Sequence, residues 1–268
     1  MMTFLRSVAI SFTTYSVIPM PVFDWKDEDM KYSMSAFPLV GLILAALSYG
    51  VCKLLLFLGA GNLFTAGILT VLPLLYTGGI HMDGFMDTMD ALCSYSDKEK
   101  KLEILKDPHI GAFAVIHAIL YVVLDLILWS ELIRLNIEGY AGNMLFYLVM
   151  AGYVMSRTLS ALAVVSFRKA KPDGMVSDIS KAQDRKCRIL LTFILIVMTL
   201  ILFTLGGIFA LCIIVPAGLV FLYYRRMSYR SFGGITGDLA GWFLQVCELS
   251  VLFAAVLTAL IGSSLVKM

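Results

Sequence analysis

Apolar residues in this chain neither alternate nor recur on one narrow stripe; they run in long, nearly unbroken stretches. A helix crosses a bilayer with about 17–25 such residues. The stretches are Ser33 to Leu58, Leu63 to Ile80, Ile110 to Trp129 and Ala141 to Phe167. A Gly59-Ala60-Gly61-Asn62 turn divides the first two, and a short link with Glu131, Arg134 and Glu138 divides the last two. Ile189 to Tyr224 is too long for one crossing, and Gly206-Gly207 marks a hairpin turn inside it. Ile235 to Val266 predicts one long or broken helix. The pattern predicts about seven crossings, and its continuity excludes the alternation of a membrane barrel. Ahead of them, Phe4, Leu5, Val8, Ile10 and Phe12 predict a short amphipathic helix in the interface, or a simple anchor. Asp24 to Lys31 is a charged connector, and nothing from Met1 to Met20 resembles a cleaved signal peptide.

Composition sharpens this picture. Of 268 residues, 60% are hydrophobic and 15% charged, and mean hydropathy is +0.88; soluble domains hold about 45–50% and about 25%. The fold class is therefore all-α, a polytopic transmembrane bundle read as one integral-membrane domain over 1–268. A net charge of +2, from 21 basic and 19 acidic side chains, supplies no concentrated basic face and excludes nucleic acid as a partner. The five cysteines form no C-x-x-C pair and read as small hydrophobes. Orientation follows from loop charge. Arg168 to Arg188 holds seven Lys/Arg against three Asp, and Arg225 to Arg230 holds three Arg and no acid. Both are expected on the cytoplasmic side. Counting crossings backward puts His81 to His109 and the N-terminus there too.

The candidate chemistry lies in Gly78 to Leu92, GGIHMDGFMDTMDAL. Asp83, Asp87 and Asp90, at offsets of four and three, share one helix stripe. Clustered carboxylates repel, and burying them is costly without a compensating cation. A magnesium–phosphate site uses that arrangement, whereas a cap needs only one acid at a helix start. His81 precedes the stripe, and Gly84 would let a phosphate or a second helix come close. In KDPHIGAF, Lys106 and His109 either hold phosphate oxygens or mark the interface, with Asp107 beside them. Arg157 lies well inside an apolar stretch and calls for a phosphate or carboxylate partner; Glu248 poses the same problem with opposite sign, so the two could pair. Asp125 is either another charged participant or a local structural pair. Asp238, Gln245 and Glu248 fall on one face of the last helix, facing a polar cavity or a packing network.

Four runs, FTTYSVIPMP from Phe12 to Pro21, GGIHMDGFMDTMDAL, KDPHIGAF and GGITGD from Gly233 to Asp238, resemble the cobalamin synthase family, the adenosylcobinamide-GDP ribazoletransferases, in order and over the chain's length. His109 stands where that family often has arginine, and Arg157 lacks the flanking glycine and tryptophan of the family's position. The resemblance implies a magnesium-dependent enzyme of the prokaryotic plasma membrane, its active site facing the cytoplasm. Its substrates would be adenosylcobinamide-GDP and alpha-ribazole or alpha-ribazole 5'-phosphate; the products would be adenosylcobalamin, or its 5'-phosphate, and GMP. Asp83 and Asp87 would hold Mg2+, Asp90 would be a further ligand or the base, and His81 would orient or relay. Lys106, Asp107, His109, Arg157, Asp238 and Glu248 would bind substrate. The rival readings are a CDP-alcohol-type phosphotransferase of phospholipid synthesis and a transporter. Transport sites lie near the midplane rather than at one edge. A homo-oligomer stays open.

Overall fold

The computed structural model describes residues 2–21, 23, 25–139, 142–171 and 185–266. The helices are α1 Met2–Tyr15, α2 Asp27–Met30, α3 Ser33–Phe57, α4 Asn62–Thr77, α5 Ile80–Cys93, α6 Lys98–Ile104, α7 Ala112–Ile137, α8 Gly142–Ser166, α9 Arg185–Gly206, α10 Leu211–Ser231 and α11 Gly237–Val266. No strand occurs among the described residues; a single parallel bridge joins Lys169 to Ile235. Small side chains decide which helix becomes the centre. Ser156, Ser160, Ala161 and Ala163 of α8 are all buried, and a Cβ on Gly152 would stand 2.9 Å from Val251 of α11. On α3, Gly41 lies against the Tyr153 carbonyl with no room for a Cβ. Without a hydrophobic force between helices in lipid, such close backbone approach is what holds them together. Accordingly 78% of the α8 span is buried, against 17% in the Arg185–Ser231 run.

The outer face is apolar. On α9, Ile189, Phe193, Ile196 and Leu200 are exposed at offsets of four, three and four, a single stripe. Five helical runs are long and apolar enough to cross a membrane, six if the bent pair α4–α5 counts as one crossing. The protein is a multi-pass membrane protein. Both ends of the Arg185–Ser231 run return to the same end of α8. Arg188 donates to the Val165 carbonyl at 2.9 Å, and Phe221 and Tyr224 of α10 pack on Phe167 at 5.1 and 6.1 Å. Between them Gly207 takes a left-handed φ of +54°, and Gly206 packs on Leu148 near the other end of α8. The hairpin expected at Gly206-Gly207 is thus present.

Two expectations change, and the choice left open for the last stretch is decided. The run Leu63 to Ile80 is not one straight helix: α4 ends at Thr77 and α5 leaves it at 94°. Gly78 and Gly79 take φ of +62° and +79°, and their N–H groups close the last carbonyls of α4. Two left-handed residues in succession suit glycine. At 16 residues, α4 is about 24 Å long, short of the roughly 30 Å hydrocarbon core. The third stretch does not stop at Trp129, because Glu131 and Arg134 stay helical. Arg134 bonds Glu131 at 2.5 Å and Glu138 at 2.7 Å, so the charges satisfy one another along the helix. The last stretch is one unbroken helix of 30 residues from Gly237. At the N-terminus, Ile10 and Phe12 of α1 are buried against the bundle, while Phe4 and Leu5 are exposed. Arg6 pairs with Asp29 at 3.1 Å, and Ser7 donates to the Asp29 carbonyl at 2.5 Å, pinning α1 to α2. Asp24, within the expected charged connector, lies outside the described residues.

Candidate active site

The elbow after α4 lays α5 against the start of α11, and glycine sets how close they come. A Cβ on Gly84 would stand 2.8 Å from both the Cα and the carbonyl oxygen of Asp238; one on Gly241 would stand 2.9 Å from the His81 carbonyl. Backbone cannot yield as a side-chain tip can. Of the two approaches Gly84 allows, the second helix is the one realised. Gly84→Ala should therefore cost about 1–3 kcal/mol by overpacking, read as a lower midpoint of thermal unfolding in detergent. Gly50→Ala is the control, since its Cβ would meet nothing within 4 Å. Equal midpoints for the two variants would refute the contact.

This crossing forms one wall of a cavity of about 420 Å³. Asp83 of α5 and Thr236 and Asp238 at the start of α11 line it, with Lys106 after α6 and Lys169 and Lys171 after α8. Thr236 starts α11 by accepting the Leu239 N–H at 3.2 Å, and its hydroxyl contacts the Asp238 carboxylate at 3.3 Å. The segment after α8 is strapped to the segment before α11: Ala170 N–H donates to Ile235 at 3.0 Å, and Ile235 N–H to Arg168 at 2.9 Å. Gly234 is so close to this strap that no Cβ fits. Lys169 donates to the Val164 and Phe167 carbonyls at 2.5 and 2.6 Å, closing the end of α8. Burial first, then the nearby Arg188 charge, push its ammonium pKa down to about 8. Lys171 donates to the Leu102 carbonyl of α6 at 3.2 Å.

The aspartate stripe divides its work. Asp83 faces the cavity. Asp87 lies within electrostatic range of Asp83, Asp238 and Asp90. Asp90 points to the start of α7, where it accepts the Ala114 N–H at 3.2 Å, and a Cβ on Gly111 would overlap its carboxylate. It caps α7 from another helix. Among the described residues, no three His, Cys, Asp or Glu side chains converge closely enough to hold an ion by themselves. His81 also lines the cavity, 5% exposed, with its Nε2 lacking a hydrogen-bond partner among the described residues.

A family model described as cobalamin-5-phosphate synthase matches residues 7–256. The chain belongs to that family. Relatives named adenosylcobinamide-GDP ribazoletransferase include one from Lachnoclostridium phytofermentans, 38% identical over 96% of this chain and 95% of its own. Others come from Desulfitobacterium hafniense, 33% identical over 92% of this chain and 94% of its own, and Clostridium perfringens, 31% identical over 92% and 96%. No solved structure matches the chain.

Within this cobalamin-5-phosphate synthase fold, His81, Asp83, Lys106 and Asp238 meet at one cavity, as their separate motifs foretold in part. The other candidates lie elsewhere. Asp107 and His109 pair with each other on the surface, Nδ1 to Oδ1 at 2.7 Å. The His109 backbone N–H, then its ring, hold the Asp107 carboxyl below its usual range. Arg157 and Glu248 do not line the cavity; they pair at 2.5 Å between α8 and α11, with Ser156 donating to the same carboxylate at 2.8 Å. Asp125 sits with Glu248 on a separate cavity of about 20 Å³, room for one water. Sequence reading missed Lys169 and Lys171 as cavity residues. Their signal is the basic loop, whose charge speaks to orientation and equally to anion binding.

Proposed function

We propose that the cavity performs the reaction named for the relatives: transfer of the adenosylcobinamide phosphate from adenosylcobinamide-GDP to alpha-ribazole or its 5'-phosphate, with release of GMP. The observation that carries this reading is that Asp83 and Asp238 line the same 420 Å³ space as Lys106, Lys169 and Lys171. Such a space offers carboxylates to a divalent cation and ammonium groups to a diphosphate. The start of α11 adds a helix N-terminus, which favours anions.

Asp83 and Asp87 fit a magnesium ion. Both are oxygen donors one turn apart, and neither has an ion-pair partner among the described residues. Magnesium is commonly held by one or two carboxylates and completed by water and substrate phosphate, so a convergent trio is unnecessary. When bound, the ion offsets charge on the diphosphate and on the leaving phosphate. The lysines hold the diphosphate against α11. The ribazole 3'-hydroxyl attacks the phosphorus attached to the cobinamide arm; the bond from that phosphorus to GMP breaks, and the hydroxyl proton passes to Asp238 or solvent. Asp90 supports this by fixing where α7 begins.

In the bilayer, this reading takes the chain as one domain with seven crossings: α3, the bent α4–α5 pair, α7, α8, α9, α10 and α11. The basic end of α8 and Arg225 to Arg230 face the cytoplasm. There α1 lies along the interface, with Phe4 and Leu5 toward lipid. The test is GMP release by protein purified into nanodiscs, given adenosylcobinamide-GDP and alpha-ribazole. Release should match corrinoid product, stop on chelation and return with magnesium. No release at saturating substrates would overturn the reading, and release unaffected by chelation would overturn the ion.

A further inference from the structure

The cavity has a second wall that the phosphate chemistry leaves unused. Tyr15 of α1, Phe37 of α3 and His81 of α5 line it, as the strap lysines do. Their rings form one cluster: Tyr15 to Phe37 at 4.4 Å, and His81 to each at 6.0 Å, nearly parallel to Tyr15 and edge-on to Phe37. Three separate helices each contribute a ring. Aromatic rings and ammonium groups lining one cavity suit a nucleoside, whose base stacks while its phosphate meets cations.

Polar inventory tells which base fits. On this wall the side-chain polar atoms are the Tyr15 hydroxyl and the two His81 ring nitrogens, and His81 Nε2 is buried without a partner among the described residues. Guanine carries more donors and acceptors on its edge than these three atoms can meet, and each one left against the Phe37 ring would lose water without gaining a partner, at about 1–3 kcal/mol. A benzimidazole offers an apolar, methylated ring and one unsubstituted ring nitrogen, which matches one imidazole nitrogen. Size points the same way. At about 420 Å³ the cavity lies in the lower half of the usual range for small-ligand sites, about 300–1,000 Å³. It suits a nucleoside and a diphosphate, whereas an adenosylated corrin is several times the nucleoside's size.

Resting on the reaction proposed above, we infer that Tyr15, Phe37 and His81 form the subsite for the benzimidazole base of the acceptor, with the corrin ring outside the cavity mouth. The acceptor is thereby held with its ribose toward Asp83 and Asp238.

Competition kinetics on the unaltered protein in nanodiscs test this without any folding risk. Free 5,6-dimethylbenzimidazole should inhibit GMP release competitively against alpha-ribazole and not against adenosylcobinamide-GDP. Guanosine competing with alpha-ribazole, or dimethylbenzimidazole competing with the GDP substrate, overturns the assignment. In variants, Phe37→Leu and His81→Gln should each raise the KM for alpha-ribazole about tenfold while moving that for adenosylcobinamide-GDP by less than about twofold. Equal rises for both substrates, or none, overturn it as well. GMP release by the unaltered protein reports on the reaction itself, so the two failures are told apart.

Discussion

Asp83→Asn is expected to lower GMP release by about a hundred- to thousand-fold, the scale seen when a group that offsets reacting charge is removed. Folded protein should remain in the membrane, because Asn matches Asp in size and Asp83 has no ion-pair partner among the described residues. Turnover near normal at every magnesium concentration would remove Asp83 from the site. Asp90→Asn makes the informative companion. Asn caps a helix about as well as Asp, so the substitution keeps the bond to Ala114 within reach while deleting the charge. A fall as deep as that of Asp83→Asn would put Asp90 among the ion-holding groups; preserved turnover would confine it to the start of α7.

That contrast shows what sequence can and cannot disclose. Asp83, Asp87 and Asp90 stood out because charge in an apolar chain is costly and must have a reason. Their helical spacing also placed them correctly on one stripe. Nothing local says that Asp90 meets Gly111, since that approach depends on how α7 docks. Lys169 and Lys171 were hidden for the opposite reason: among seven basic residues in one loop, these two cavity-lining lysines look like the rest. Tyr15 and Phe37 likewise resemble any aromatic residues in apolar sequence. The long stretches themselves were legible, because hydrocarbon thickness dictates their length. The elbow at Gly78-Gly79 was not, since a glycine pair marks a turn but leaves its angle to packing. The charged group at Glu131 and Arg134 misled because a loop and a self-neutralised helix turn have the same composition.

The second large effect belongs to a pair outside the cavity. Arg157→Met should destabilise the protein by about 3–5 kcal/mol, because it leaves the Glu248 carboxylate, 11% exposed, without its cation. Glu248→Gln strands the guanidinium in the same way, beside an Nε that already has no partner among the described residues. The double variant should recover much of the loss, since removing both charges also removes the cost of burying them. Thermal unfolding of all four proteins in one detergent measures this, and additive losses would refute the pair. Activity then separates support of the fold from service at the site. Glu248 is ten residues beyond Asp238, roughly 15 Å along α11, and neither partner lines the cavity. The double variant should therefore keep both KM values. Its charges were conspicuous in the sequence for the same reason as the aspartates, yet they satisfy each other, and so they hold α8 and α11 in register instead of meeting substrate.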